Sequence, residues 1–214
     1  MNNKEYESND FKDCTWVLDP NYHDKSQNYI CLDSIFTDRE CDLIIQYGLV
    51  KYRKDLQHAR VGDGLNTSGN LNTSIRESHI VMFPNNDEEI FWLFRKITDL
   101  INQVNRDCFG YDLNCIELLQ FTNYDSSTQG FYKRHVDLAY GVLCRKLSFT
   151  IQLSDENSYE GGDFCFHSSP IPIILPKKRG TLICFPSFTL HEVTPVTKGV
   201  RNSLVGWILG PNFK

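Results

Sequence analysis

Lys146-Leu147-Ser148-Phe149-Thr150-Ile151-Gln152-Leu153 alternates without a break between apolar and polar side chains. That two-residue period belongs to a strand, with Phe149, Ile151 and Leu153 on one face and Ser148, Thr150 and Gln152 on the other. The apolar face is a core face. The polar face has two readings: solvated in an ordinary sandwich, or lining an interior pocket where it supplies hydrogen-bonding groups to a polar small molecule.

On either side of this segment lie further short β-rich runs split by Gly, Pro, Asn and Asp: Cys115 to Thr122, Phe131 to Val136, Phe164 to His167, Thr181 to Phe185, Leu190 to Val193 and Ser203 to Leu209. Regular short strands with turn signals predict a mainly β sandwich or barrel. The preceding sequence is helical in character. Thr37 and Glu40 form a capping box before the apolar run Cys41 to Leu49. Ile90, Phe94, Ile97, Ile101 and Val104 make one apolar stripe, with Asp87, Glu88 and Glu89 at its positive end and Gly110 to close it. Two helices covering one outer face of the β layer are expected. A strand is expected at Thr15 to Leu18 and another at Ser78 to Phe83, ended by Pro84. Residues 1–13 are polar and expected to be loose, leaving 14–214 as a single domain. Residues 58–75, rich in Gly, Asn, Ser and Thr, read either as a lid or binding loop or as a disordered insertion.

The 214 residues are 41% hydrophobic and 13% aromatic with a formal net charge of -5, so neither nucleic acid nor an anionic membrane is an expected partner. Eight cysteines include no C-x-x-C pair, and many lie in apolar runs such as Leu182-Ile183-Cys184-Phe185. Buried free thiols in a reducing cytoplasm are expected, not a disulfide framework. The polar amino terminus and the lack of a membrane-length apolar stretch agree with a cytoplasmic location.

Against this background four residues stand out. His135 and Asp137 form an H-x-D pair whose side chains project to the same face of a strand. His191 ends an apolar run, and Arg201 shares a strand face with Ser203, Val205 and Trp207. Two imidazoles and a carboxylate suit one face of an octahedral metal, the pattern of non-haem Fe(II) oxygenases. An arginine facing the same interior as a tryptophan needs a counter-charge, either an internal acid or a ligand carboxylate.

Leu119-Gln120-Phe121-Thr122-Asn123-Tyr124, Phe131 to Asp137, Arg145-Lys146-Leu147-Ser148, Tyr159-Glu160-Gly161-Gly162-Asp163 and the segment from Gly180 to Gly210 together resemble the Fe(II)- and 2-oxoglutarate-dependent dioxygenases. The closest branch is the prolyl 4-hydroxylase-like group with its PKHD-type hydroxylases. The likeness runs from Leu118 to Leu209; earlier, Arg76-Glu77-Ser78 is similar to the family's Arg-x-Ser segment. The resemblance implies a double-stranded β-helix, or jelly roll, with its core at about residues 113–209. It implies His135, Asp137 and His191 as ligands of Fe(II), 2-oxoglutarate and O2 as co-substrates, and ascorbate as a candidate reductant. Arg201, with Ser203, would bind the distal carboxylate of 2-oxoglutarate. Tyr124 would line the co-substrate pocket, with Gln152 where some relatives carry a tyrosine. Arg76, Tyr132 and Trp207 are candidate substrate contacts.

The implied activity is hydroxylation of an unactivated C–H bond, with a peptidyl-prolyl or similar peptide side chain as the first substrate class and a free amino acid or small metabolite as the second. A zinc hydrolase with the same ligands gives Arg201 no role. A non-catalytic jelly-roll binding or sensor protein gives an intact ligand set no purpose.

Overall fold

A computed structural model describes residues 28–62, 69–139 and 143–213. The expectations for residues 1–13 and for a strand at Thr15 to Leu18 lie outside these, as do residues 63–68 of the 58–75 segment. Strands β1 to β15 cover, in order, Ile30–Leu32, Gln57–His58, Arg76–Glu77, His79–Phe83, Cys115–Ile116, Leu119–Asp125, Phe131–His135, Cys144–Gln152, Glu160–Gly161, Phe164–Phe166, Ile173–Ile174, Leu182–Pro186, His191–Val193, Val196–Lys198 and Val200–Gly210. Two α-helices, α1 (Asp38–Gln46) and α2 (Phe91–Val104), precede most of them.

The strands form a jelly roll. A large sheet runs β1-β12-β8-β15-β6-β4-β2, with β5 also on β15, and a smaller one runs β11-β10-β13-β7-β3. The segment at 146–153 sits centrally: β8 pairs antiparallel with β12 on one side and β15 on the other. Phe149, Ile151 and Leu153 are fully buried and join a core that includes Leu93, Ile97 and Ile101 of α2 and Cys41 and Ile44 of α1. The helices therefore cover the outer face of the large sheet. Gly206 of β15 permits this packing, since a Cβ there would lie 2.4 Å from Phe149 Cζ. A second cluster, Ile183 and Phe185 from the large sheet with Phe164, Phe166 and Val193 from the small one, fills the space between the sheets.

Local signals are realised closely. Thr37 caps α1, its side chain accepting from the Glu40 amide at 3.3 Å while Glu40 Oε2 accepts from the Thr37 amide at 2.8 Å. Gly110, at φ 67°, ends the helical segment that follows α2. The buried stripe of α2 is Leu93, Ile97, Ile101 and Val104, and Phe94 is only half-buried at its margin. The run from Cys115 to Thr122 is two strands, because β5 pairs with the far end of β15 and β6 with its middle and with β4. Across the break Leu118 turns outward and is 38% exposed.

Candidate metal centre

β7 and β13 bring the two histidines together. They are antiparallel neighbours in the small sheet, with His135 directly opposite His191 and a bulge immediately after His191. Bulges re-aim side chains, and this one sits where the second imidazole must turn inward. Asp137 follows β7, its amide donating to Ser187 O at 2.9 Å. His135 Nε2 lies 3.6 Å from Asp137 Oδ1, and His191 Nε2 lies 3.6 Å from Oδ2. Among the described residues this is the group whose three donor atoms all fall within 4.8 Å of one another.

Both imidazoles are held in one tautomer. His135 Nδ1 faces Lys133 O at 2.7 Å, and His191 Nδ1 faces Thr189 O at 2.8 Å. A carbonyl can only accept, so each Nδ1 carries the proton and each Nε2 presents a lone pair to the shared centre. Burial, and then the neighbouring His191, lower the pKa of His135, which keeps that ring neutral. Burial alone would raise Asp137, but His191 and His135 outweigh it and hold the carboxyl below its ordinary range, with help from Ser148 and Trp207. Two imidazole nitrogens and one carboxylate on a single face fit a divalent iron.

The second half of the site is on the large sheet. Arg201, only 1% exposed, projects from β15 between the sheets. Its Nη2 donates to Gln152 Oε1 at 3.0 Å and its Nη1 to Ser203 Oγ at 3.3 Å, while Nε has no partner. The guanidinium lies 5.3 Å from the centroid of the Tyr124 ring. No carboxylate among the described residues pairs with it. A buried guanidinium answered only by neutral dipoles is costly, so this is a place built to receive an anion. The arrangement fits an anionic chelating co-substrate. Gly162 backs the Arg201 stem at φ 59°, where a Cβ would stand 3.0 Å from Arg201 Cδ.

A family profile described as the 2OG-Fe(II) oxygenase superfamily matches residues 119–209, the stretch that carries all four residues. Over this stretch the chain is similar to that superfamily. The chain is 40% identical over 93 residues to a PKHD-type hydroxylase of Synechococcus sp. (strain CC9311), a match covering 43% of this chain and 42% of that relative. The matched part thus spans about two fifths of that relative's length. A PKHD-type hydroxylase of Teredinibacter turnerae is 28% identical over 172 residues, covering 78% of this chain and 74% of its own. In fold, the chain is similar to a Trichoplax adhaerens prolyl hydroxylase solved with a hypoxia inducible factor peptide fragment. The TM-score is 0.72 at 16% identity, covering 86% of this chain and 84% of the other.

Around this candidate centre, Tyr124, Tyr132, Ser203, Trp207 and Arg76 line one cavity together with His135, Asp137, His191 and Arg201. Tyr132 stacks on His135 with centroids 3.5 Å apart, and Arg76 lies 4.5 Å over the other ring, that of Tyr132. Gln152 sits behind Arg201 instead, its amide donating to Pro176 O at 3.0 Å. The polar face of β8 is therefore interior, with Thr150 in the cavity wall and Ser148 bonded to Ser187 at 3.0 Å. Sequence reasoning passed over Gln120, which lines the cavity and bonds Thr122, and Arg145, whose guanidinium lies 3.9 Å over Trp207 while paired to Glu117. The alternation of Gln120 and Thr122 with Leu119 and Phe121 was the available signal for the former. Arg145 had none, because its aromatic partner is on another strand.

Proposed function

We propose that this protein is an Fe(II)- and 2-oxoglutarate-dependent hydroxylase in which His135, Asp137 and His191 hold the iron and Arg201 holds the distal carboxylate of 2-oxoglutarate. The observation that carries the reading is a converging pair of Nε2 atoms and a carboxylate in one cavity with a buried guanidinium that has no acid partner among the described residues. Iron, 2-oxoglutarate and O2 bound there supply the oxidising power to hydroxylate an unactivated C–H bond, with succinate and CO2 as co-products. The chain's own work is positional. Lys133 O and Thr189 O orient the imidazoles, Gln152 and Ser203 aim the guanidinium, and Phe164, Phe185 and Val193 keep the cavity wall apolar.

For the substrate we propose a peptidyl-prolyl or similar peptide side chain. The support is the naming of the PKHD-type relatives and the peptide held by the similarly folded prolyl hydroxylase. A free amino acid or small metabolite is the second reading. It is favoured by Arg76, which is 7% exposed, bonds only Ser78 through Nε and pairs with no carboxylate among the described residues. That cation would answer a free carboxylate. We place the protein in the cytoplasm, as a single domain; no helix among the described residues is long and apolar enough to cross a membrane. The deciding experiment incubates the protein with Fe(II), ascorbate, 2-oxoglutarate and panels of proline-containing peptides or amino acids. Mass spectrometry should find one added oxygen with stoichiometric succinate. Succinate formation that no panel member stimulates would reject both substrate classes.

A further inference from the structure

Away from that cavity, the β2–β4 edge of the large sheet brings together a set of donor groups the proposed reaction does not use. His58 and His79 are directly opposite in the antiparallel ladder, with ring centroids 4.1 Å apart. Glu77, two residues before His79, places Oε1 3.7 Å from His58 Nδ1. That oxygen is buried and has no hydrogen-bond partner. Asp125 adds a further negative charge beside His79. A buried carboxylate oxygen with no donor is unfavourable, and two imidazoles in contact cannot both ionise cheaply. One cation shared among them relieves both conditions.

We propose that His58, Glu77 and His79 form a second metal site for a divalent cation of the zinc, copper or nickel class. Imidazole nitrogens with one carboxylate favour those ions over magnesium or calcium. The three donor atoms do not converge in this structure, so binding requires the His58 ring to turn toward Glu77 and His79. The His58 side chain is 48% exposed, which leaves room for the turn. The site lies at the base of segment 59–76, whose ends are already joined by the Ala59 amide donating to Ser78 O at 2.9 Å. Coordination would add a side-chain clasp to this backbone one. Glu77 adjoins Arg76, so the clasp would also fix a residue lining the oxygenase cavity.

The test is Zn2+ uptake by metal-free full-length protein, measured in competition with a chromophoric chelator. Wild type, His58→Ala and a His135→Ala/Asp137→Ala double variant are compared, together with that double variant carrying His58→Ala. His58→Ala should bind one equivalent fewer than wild type, and the double variant should retain an equivalent that the added His58→Ala removes. Equal uptake by wild type and His58→Ala overturns the proposal, and would leave a proton-linked His58–Glu77 pair in its place. Wild type against His58→Ala reads the edge site even where the double variant fails to fold, since His58 is at the surface. Because these comparisons score only the edge histidine, failure of the oxygenase assignment would not change their outcome.

Discussion

His135 and His191 face each other across the β7–β13 ladder, and each presents Nε2 because its Nδ1 is committed to a backbone carbonyl two residues earlier. Ring orientation is therefore set by the local backbone, Lys133 within β7 and Thr189 in the turn before β13, and precedes any ligand. Asp137 completes the set from just beyond β7.

Asp137→Ala should abolish succinate formation and iron binding while leaving the far-ultraviolet circular dichroism spectrum unchanged. Removing this buried charge takes away a ligand without opening the apolar core between sheet and helices. Retained turnover would reject the ligand assignment.

Arg201→Ala should weaken 2-oxoglutarate far more than iron. Truncating one partner of a buried charge pair costs roughly 2–5 kcal/mol, or about thirtyfold to several thousandfold in affinity. Titration of each component by calorimetry or by tryptophan fluorescence separates the two effects. An unchanged 2-oxoglutarate curve removes Arg201 from its role.

Gly162→Ala tests the support behind that arginine. The residue sits at φ 59°, and its new methyl group would crowd Val196 Cγ2 at 2.9 Å and Arg201 Cδ at 3.0 Å. A loss of about 1–3 kcal/mol in denaturant unfolding is expected, with a raised KM for 2-oxoglutarate. Wild-type values for both would show that the loop yields freely.

Gly206→Ala should destabilise the fold by about 1–3 kcal/mol, because the added carbon would meet Phe149 at 2.4 Å in a packed layer. Thermal unfolding is the readout. An unchanged melting temperature would mean that Phe149 can move aside.

Thr37→Ala should cost about 1 kcal/mol at neutral pH by removing the cap of α1. Part of that loss is pH-dependent. Burial would raise the Glu40 pKa, but Lys96 and Thr37 outweigh it, so the folded value lies below the ordinary 4.5. A lowered carboxyl contributes stability above its unfolded pKa and loses it as pH falls through the folded value. The wild-type advantage should therefore shrink below about pH 4 in unfolding curves measured across acid pH. An advantage independent of pH would assign the cap to the Thr37 hydroxyl alone.

Much of the β core was legible because local pattern and tertiary role agree. The period of 146–153 matches a strand buried on both faces, and the capping box at Thr37 and Glu40 forms as spaced. His135 and Asp137 were legible as a pair by their two-residue spacing, but the strand ends at His135 and Asp137 reaches the site from just beyond it, its amide bonded to Ser187 O. Phe94 and the break at Leu118 were not, since which side chain turns outward depends on what packs above it.

By itself, then, the sequence determined the main element types, the two-residue alternation of β8, the candidate donor residues and the likeness that joins them, while the structure decided that the polar row of β8 is interior. Only the tertiary structure decided that Arg201 has Gln152 and Ser203 for company and no acid among the described residues, and that His58 meets His79 and Glu77 at a sheet edge. The reason is physical. Side-chain period is a property of a few consecutive residues, whereas the partner of a buried charge is set by the register of strands far apart in the chain.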